Sequence, residues 1–247
     1  MDLGIAGRRA AVAAASRGLG RAVASTLVGE GVRVAICGRD RERIERTASE
    51  IGAIPLVADV ASTDGALAFA DAAREALGGI DILVPNAGGP PPGGFADIDD
   101  LSSYIRAFEL NCLSAIAMCQ AAVPAMRAQR WGRIVAITSL AVRQPNPALI
   151  LSNTARAGLT GFLKTLAREV AADGVTVNSL QPGMHATERL RELYGEGMSD
   201  VAGGIPARAL GNADDFGAVA AFLCSEPAKY VSGSAIAVDG AAYAGLL

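Results

Sequence analysis

The stretch that decides the fold is AAASRGLGRAVA, residues 13–24, which joins an apolar run at residues 9–14 to a segment with helical apolar spacing. Gly18 and Gly20 allow the backbone to approach a ligand closely. The unpaired N–H groups and the dipole at a helix N-terminus favour an anion at that point. A strand, a glycine-rich turn and a helix in this order indicate a dinucleotide-binding unit, although a lone G-x-G also occurs in simple tight turns.

Short apolar runs alternate with helical segments along the chain. The candidate strands are residues 9–14, 33–37, 55–58, 81–85, 133–137, 175–180 and 235–238, and helical patterns cover residues 22–29, 41–51 and 65–77. Such alternation indicates parallel crossovers between strands. No linker, repeat or charge block divides the chain. The sequence therefore predicts one α/β domain over residues 1–247, with a doubly wound, seven-stranded parallel sheet flanked by helices.

Two segments rich in glycine and proline follow predicted strands. They are NAGGPPPGGF at residues 86–95 and GEGMSDVAGGIPARALG at residues 195–211. Both lie after the carboxyl ends of strands, the edge where ligands bind in doubly wound sheets. We expect a substrate loop or lid around residues 184–211, and a small, largely uncharged organic molecule as the substrate.

Composition and charge exclude several classes of partner. The chain is 51% hydrophobic and 19% charged, which excludes disorder, and its net charge of -3 offers no basic excess for nucleic acid. No uninterrupted apolar run approaches the roughly 20 residues that span a bilayer. The amino terminus lacks a signal-peptide design, and the four cysteines (Cys37, Cys112, Cys119, Cys224) lack metal spacing. We expect a cytoplasmic protein with buried free thiols and no nucleic-acid, membrane or metal partner.

The sequence resembles the short-chain dehydrogenase/reductase family over nearly its whole length. The family's first motif, T-G-x-x-x-G-x-G, corresponds to residues 13–20, with Ala13 and Ala14 at its Thr and first Gly. Further motifs follow in the family's order and spacing: Asp59-Val60, N-A-G-G from Asn86 to Gly89, Asn111, Ser139, Pro182-Gly183 with Thr187, and the closing VSGSAIAVDG. The resemblance implies a Rossmann fold and a nicotinamide-dependent oxidoreductase. Because Ala14 adds a methyl group where the turn is tight, we expect a reduced cofactor affinity.

The resemblance also implies roles for individual residues. Asn111 matches the asparagine that kinks a helix and holds a proton-relay water, and Ser139 matches the catalytic serine that hydrogen-bonds the substrate carbonyl. Thr187 matches the threonine that contacts the nicotinamide carboxamide. The implied cofactor-binding set is Ser16, Arg17, Gly18, Leu19, Gly20, Arg39, Asp59, Val60, Asn86, Gly88, Arg156, Pro182, Gly183 and Thr187.

The residues after the second predicted strand favour NADP over NAD. An acidic residue there suits the ribose hydroxyl of NAD, whereas an arginine suits the 2'-phosphate of NADP. Here Arg39 lies two residues after Cys37, with no carboxylate before it. Arg17 in the glycine-rich turn supplies a second cation for the phosphate. The alternative is that both arginines are solvated surface residues, and we expect Asp40 to be the N-cap of the next helix.

The family's Tyr-x-x-x-Lys catalytic pair is replaced by Ser152 and Arg156. The family tyrosine lies thirteen residues after the catalytic serine and the lysine four beyond it, which gives these positions when counted from Ser139. The flanking RAGLTGFLKTLAREVA, residues 156–171, resembles the family helix in the same register. No tyrosine lies between Tyr104 and Tyr194, so a shifted register offers no substitute.

This replacement removes the family's proton donor. A tyrosine, with a pKa of about 10 that a lysine lowers further, can protonate an alkoxide, whereas a serine hydroxyl is a much weaker acid. Arginine keeps its proton and cannot relay one. Residues four apart share a helix face, so Ser152 and Arg156 are expected to point at the cleft, where Arg156 can bind the nicotinamide ribose. Ser139 and Ser152 can donate hydrogen bonds to an oxyanion. The alternative is that Ser152 only begins a helix and Arg156 pairs on the surface.

Two classes of function remain open. The first is an NADP-dependent oxidoreductase that reduces a carbonyl or a carbonyl-conjugated alkene, with His185 and Tyr194 as less favoured substitute acids. The second is a non-redox enzyme, or a cofactor-binding protein without turnover, on the same scaffold. The resemblance also implies a homo-oligomer, most simply a tetramer, formed by the helices at residues 101–130 and after Ser152. Candidate outward apolar positions are Ala115, Ala121, Ala122, Ala157, Leu159 and Phe162, although the second apolar face of a helix can also be buried within a monomer.

Overall fold

The computed structural model describes residues 1–246, apart from the side chains of Arg189, Leu193, Tyr194 and Glu196. One sheet of seven parallel strands has the order β3-β2-β1-β4-β5-β6-β7, with every strand pair parallel. The strands are β1 (Arg9–Val12), β2 (Arg33–Gly38), β3 (Ile54–Val57), β4 (Ile82–Val84), β5 (Gly132–Ile137), β6 (Val175–Pro182) and β7 (Ala235–Val238). The strand order reverses beside β1, as a doubly wound sheet requires. The predicted fold class is confirmed.

Helices cover both faces of the sheet. They are α1 (Gly18–Gly29), α2 (Arg41–Ile51), α3 (Thr63–Leu77), α4 (Leu101–Phe108), α5 (Ser114–Ala128), α6 (Ile150–Val170), α7 (Glu188–Tyr194), α8 (Met198–Gly204) and α9 (Ala213–Leu223). Phe69 of α3, Met118 of α5 and Leu163 of α6 belong to one buried cluster. Leu27 of α1 and Phe216 of α9 belong to the cluster on the opposite face. Strands buried on both faces explain the near-continuous apolar runs of the sequence.

Local sequence signals set most helix ends. Asp40 accepts a hydrogen bond from the Arg43 backbone at 3.0 Å, so it is the N-cap of α2, as predicted. Ser62 caps α3 in the same way. Gly52 and Gly78 end α2 and α3 in the left-handed conformation that glycine adopts without a steric penalty.

Several boundaries differ from the prediction. The first strand ends at Val12 because Ala14 has a φ of 47°, which no strand accommodates. The sixth strand continues through Gln181 to Pro182, paired with β7. The second glycine-rich segment was predicted as a loop, but residues 195–204 form a 3-10 turn and α8, so tertiary context outweighs its low helix propensity.

The long helical stretch Leu101–Ala128 is apolar enough, by length and composition, to cross a membrane. More than half of its most apolar part, 56%, is buried inside the protein, as in the core helix of a soluble protein. All four cysteines are buried and unpaired in the described structure, as predicted.

Candidate active site

The predicted site residues gather at the carboxyl edge of the sheet. Residues 13–18 follow β1, Arg39 follows β2, Asp59 follows β3, and Asn86 follows β4. Ser139 follows β5, and Pro182 ends β6. Parallel strands place these ends on one side of the molecule, on either side of the switch point between β1 and β4. One cleft therefore receives contributions from six strands.

The turn after β1 is tightly packed around Ala14. Asn86 donates from Nδ2 to the carbonyl oxygens of Ala13 and Ala14, at 3.2 Å each, and so joins the first and fourth strand ends. A Cβ at Gly20 would lie 2.8 Å from the Ala14 oxygen, which only glycine avoids. Ala14 itself has a left-handed φ of 47°, a conformation that costs a residue with a Cβ about 1–2 kcal/mol. The alanine thus stands where the backbone favours glycine.

The N-terminus of α1 is suited to an anion. Its N-cap, Arg17, makes no side-chain hydrogen bond to the first turn, in contrast to the capped helices α2 and α3. The first backbone N–H groups are therefore left for another acceptor, and the helix dipole favours a negative one. Gly18, with a φ of 62°, leaves the turn without a side chain there. These features fit the pyrophosphate of a dinucleotide.

The two arginines proposed for the 2'-phosphate are held by carboxylates. Arg17 Nη1 lies 2.6 Å from Glu192 Oε1 and 3.5 Å from Glu188 Oε2, both on α7. The hydrogen bond to Glu192 is the main cause of a raised pKa for Arg17. Arg39 is 76% exposed at its side chain and lies 4.0 Å from Asp59 Oδ2. Both arginines therefore have carboxylate neighbours in the described part of the chain.

Ser139 presents a hydroxyl at the end of β5. Its Oγ accepts a hydrogen bond from the Ala141 backbone at 3.1 Å, at the start of a 3-10 turn. Because the oxygen is the acceptor, the hydroxyl proton remains for donation to another group. The side chain is partly buried, as a group at a cleft wall is expected to be.

Ser152 and Arg156 lie on the buried face of α6. They are 9% and 8% exposed, so the alternative of a surface pairing for Arg156 does not hold. Arg156 Nη1 donates to the carbonyl oxygens of Ile137 and Thr138 at 3.1 Å each. These are the two residues before Ser139, so the guanidinium lies against the carboxyl end of β5.

Asn111 lies in a π-helical turn, Glu109–Leu113, between α4 and α5. Single π turns inside α-helices are frequent at functional sites. Its Nδ2 donates to the Gly88 carbonyl at 2.8 Å, which ties the helix to the loop after β4. Its buried Oδ1 has no hydrogen-bond partner among the described residues.

Thr187 and His185 both have structural contacts. Thr187 is the N-cap of α7 and accepts a hydrogen bond from the Leu190 backbone at 3.4 Å. His185 is 5% exposed, bonds through Nδ1 to the Gly183 carbonyl at 3.2 Å, and packs edge-on against Phe216. Burial lowers the pKa of this histidine, against the weaker effect of the Gly183 bond. Phe216 belongs to the core cluster on the sheet face opposite α6. The side chain of Tyr194 lies outside the described residues.

The sequence patterns did not single out one buried polar residue, Gln181. It lies in β6 immediately before Pro182 and is 0% exposed. Its strand, VTVNSLQP, carries three other polar residues, so no sequence signal singled out this amide. The candidate interface residues also need correction, because Ala115, Ala122 and Leu159 are buried in the chain's own core.

Similar sequences cover almost the whole chain. A family model described as enoyl-(acyl carrier protein) reductase matches residues 13–241. The 3-oxoacyl-[acyl-carrier-protein] reductase FabG of Salmonella typhimurium is 34% identical over 242 residues, which cover 96% of this chain and 98% of that protein. Nodulation protein G of a Rhizobium species is 32% identical over 238 residues, with 96% and 97% covered.

Similar solved structures lead to the same family. L-sorbose reductase from Gluconobacter frateurii, complexed with NADPH and L-sorbose, has a TM-score of 0.92 and 30% identity, with both chains fully covered at 100%. YwfH, an NADPH-dependent reductase involved in bacilysin biosynthesis, has a TM-score of 0.92 and 26% identity, covering 98% of this chain and 100% of that one. A short-chain dehydrogenase/reductase family protein has a TM-score of 0.89 and 33% identity, with 99% and 100% covered. The chain therefore belongs to the short-chain dehydrogenase/reductase family of oxidoreductases.

Proposed function

We propose that the protein is an NADP-dependent reductase that acts on a carbonyl, or on an alkene conjugated to a carbonyl, in a small organic molecule. The observation that carries the proposal is the position of Arg156, bonded to the carbonyls of Ile137 and Thr138 beside Ser139. It supports a site in which this cation acts together with the hydroxyls of Ser139, at the end of β5, and of Ser152, one helical turn before Arg156. Among the similar structures, YwfH is NADPH dependent and L-sorbose reductase was solved with NADPH.

The turn after β1 and the strand ends would hold the cofactor. The α1 N-terminus takes the pyrophosphate, Asp59-Val60 and the Asn86–Gly88 segment take the adenosine half, and Pro182, Gly183 and Thr187 lie nearest the nicotinamide. Arg39 and Arg17 take the 2'-phosphate, for which Arg17 exchanges its partners Glu188 and Glu192. Both arginines are more than a third exposed at their side chains, so this exchange carries little desolvation cost.

The catalytic chemistry is that of an oxyanion site without a strong acid. When bound, NADPH supplies a hydride to the electrophilic carbon of the substrate. Ser139 and Ser152 donate hydrogen bonds to the oxygen on which negative charge develops, and Arg156 stabilises that charge from the end of β5. An enolate delocalises its negative charge and can be protonated later by solvent. The alkoxide that forms from a simple ketone needs a proton donor in the site. We therefore expect activated alkenes and electron-poor carbonyls to be the better substrates.

One observation favours a second candidate, a cofactor-binding protein or non-redox enzyme on the same scaffold. Ala14 holds a strained left-handed φ of 47° in the turn that contacts the cofactor, which lowers the affinity expected of the turn. An NADPH oxidation assay with paired enone and ketone substrates separates the candidates, since only the reductase consumes NADPH when an enone is added. Binding of NADPH without consumption supports the second candidate.

We also propose a homo-oligomer, most simply a tetramer, in the cytoplasm. The support is an exposed apolar surface on the α4–α5 stretch, where Leu101, Ile105 and Leu113 are 79%, 67% and 44% exposed. A second copy of the chain would cover these side chains. Light scattering at micromolar concentration tests the proposal, and a monomer mass would refute it.

A further inference from the structure

Gln181 is a fully buried amide without a protein partner. The side chain is 0% exposed, and neither Oε1 nor Nε2 has a hydrogen-bond partner among the described residues. Burial of such a group without compensation costs about 1–3 kcal/mol in proteins. An unpaired buried amide is therefore expected to form hydrogen bonds with a ligand or with an ordered water.

The strand direction places Gln181 on the α6 face of the sheet. Side chains alternate along a strand, and Val175 and Val177, which have the same parity, belong to the cluster that includes Leu163 and Val170 of α6. Because α6 joins the parallel strands β5 and β6, it runs back along them in the opposite direction. The last residues of α6 thus cover the start of β6, and its first turns cover the end.

The first turns of α6 carry Ser152 and Arg156. The Thr138 backbone, whose carbonyl accepts from Arg156, donates to the Leu180 carbonyl at 2.9 Å. Gln181 follows Leu180 directly, so its side chain enters the layer between the strand ends and the buried face of α6. Ser152 lies on the buried face of α6 and is 9% exposed.

We propose that Gln181 is a positioning residue of the reductase site, and this rests on the function proposed above. Its amide holds one buried water, which in turn donates a hydrogen bond to Ser152 Oγ. A serine oxygen that accepts a hydrogen bond from this water keeps its own proton for donation to the substrate oxygen. Gln181 acts in this way through Ser152 and does not touch the substrate.

A crystal structure of the wild-type protein tests the assignment without any turnover. The expected result is an ordered water within about 2.7–3.2 Å of both the Gln181 amide and Ser152 Oγ. A Gln181 amide bonded only to protein atoms, or a water that does not reach Ser152, would overturn the proposal.

A double-mutant cycle supplies the kinetic test. Gln181→Met and Ser152→Ala should each lower kcat for enone reduction about tenfold or more, with KM little changed, and the double variant should lose no more than either single one. Thr176→Val is the matched control, because Thr176 is a buried residue of the same strand whose Oγ1 also has no partner among the described residues. It lies at the opposite end of β6, so kcat should stay at the wild-type value.

The outcomes separate the two proposals. If the fold losses in kcat from Gln181→Met and Ser152→Ala multiply in the double variant, the positioning role is contradicted. A wild-type kcat in Gln181→Met would contradict it too. Neither result would contradict the proposed reductase activity. A wild type that binds NADPH but reduces nothing would remove the reductase, and the position of the buried water would then decide the role of Gln181 alone.

Discussion

Arg156 Nη1 lies 3.1 Å from the carbonyl oxygen of Thr138, the residue immediately before Ser139. This contact joins the helix that follows the cleft to the strand that ends in it. The guanidinium binds two backbone carbonyls, which satisfies part of its large donor set. The contact therefore holds this cation in a fixed place at the carboxyl end of β5.

Removal of this cation should cost stability as well as activity. We expect Arg156→Met to lower the free energy of unfolding by about 1.5–3 kcal/mol, because two buried carbonyls lose a charged donor. Urea unfolding at pH 7 measures the change. Arg168→Met, at an exposed position of the same helix, is the control and should stay within about 0.5 kcal/mol of the wild type. Equal effects of the two changes would show that the buried contacts contribute nothing.

The cofactor preference should depend on Arg39. We expect NADPH to bind more tightly than NADH, and Arg39→Ala to weaken NADPH binding by about 1.5–3 kcal/mol through the loss of a charge-assisted phosphate contact. The NADH affinity should be little changed. Arg41→Ala, an equally exposed neighbour that pairs with Glu45, should leave both affinities unaltered. Fluorescence titration decides the matter, and equal affinities of the wild type for the two cofactors would refute the preference.

Restoration of glycine at position 14 should relieve local strain. Ala14→Gly removes a left-handed alanine that costs about 1–2 kcal/mol of stability. The greater conformational entropy of glycine in the unfolded chain offsets about 0.4–1 kcal/mol of this gain. We expect a small net rise in the free energy of unfolding and tighter NADPH binding. Ala13→Gly is the matched control, because Ala13 is fully buried without a positive φ, and it should destabilise the protein. A loss of stability in both variants would mean that position 14 carries no strain.

The proposed replacement of a Tyr-x-x-x-Lys pair by Ser152 and Arg156 can be tested by substitution. Ser152→Tyr combined with Arg156→Lys should raise the reduction of ordinary ketones, because it supplies an acid where the alkoxide forms. Arg156→Lys alone is the control and should not do so, since the serine remains. Steady-state rates with a saturated ketone measure the effect, and an unchanged ketone rate in the double variant would speak against the missing tyrosine as the limiting group.

The sequence predicted the seven-stranded parallel sheet and the cap at Asp40, because these follow from the alternation of strands with helices and from turn chemistry. It did not predict the partners of Arg17 or the carbonyl contacts of Arg156, since both join segments that are distant in the chain. Nor did it predict the contacts of His185 with the Gly183 carbonyl and the Phe216 ring. Ala115, Ala122 and Leu159 have apolar side chains that fit an interface equally well, and only the packing shows that they face inward.

The most direct test of the central claim is NADPH oxidation with a matched pair, cyclohexenone and cyclohexanone, in the wild type and in Ser139→Ala. We predict that the wild type oxidises NADPH faster with the enone than with the ketone. Ser139→Ala should lower the enone rate about 10²–10³-fold, because one oxyanion donor is lost. His185→Ala is the control, and it should still oxidise NADPH faster with the enone than with the ketone. No NADPH oxidation with either compound, or an activity that survives in Ser139→Ala and disappears in His185→Ala, would contradict the account.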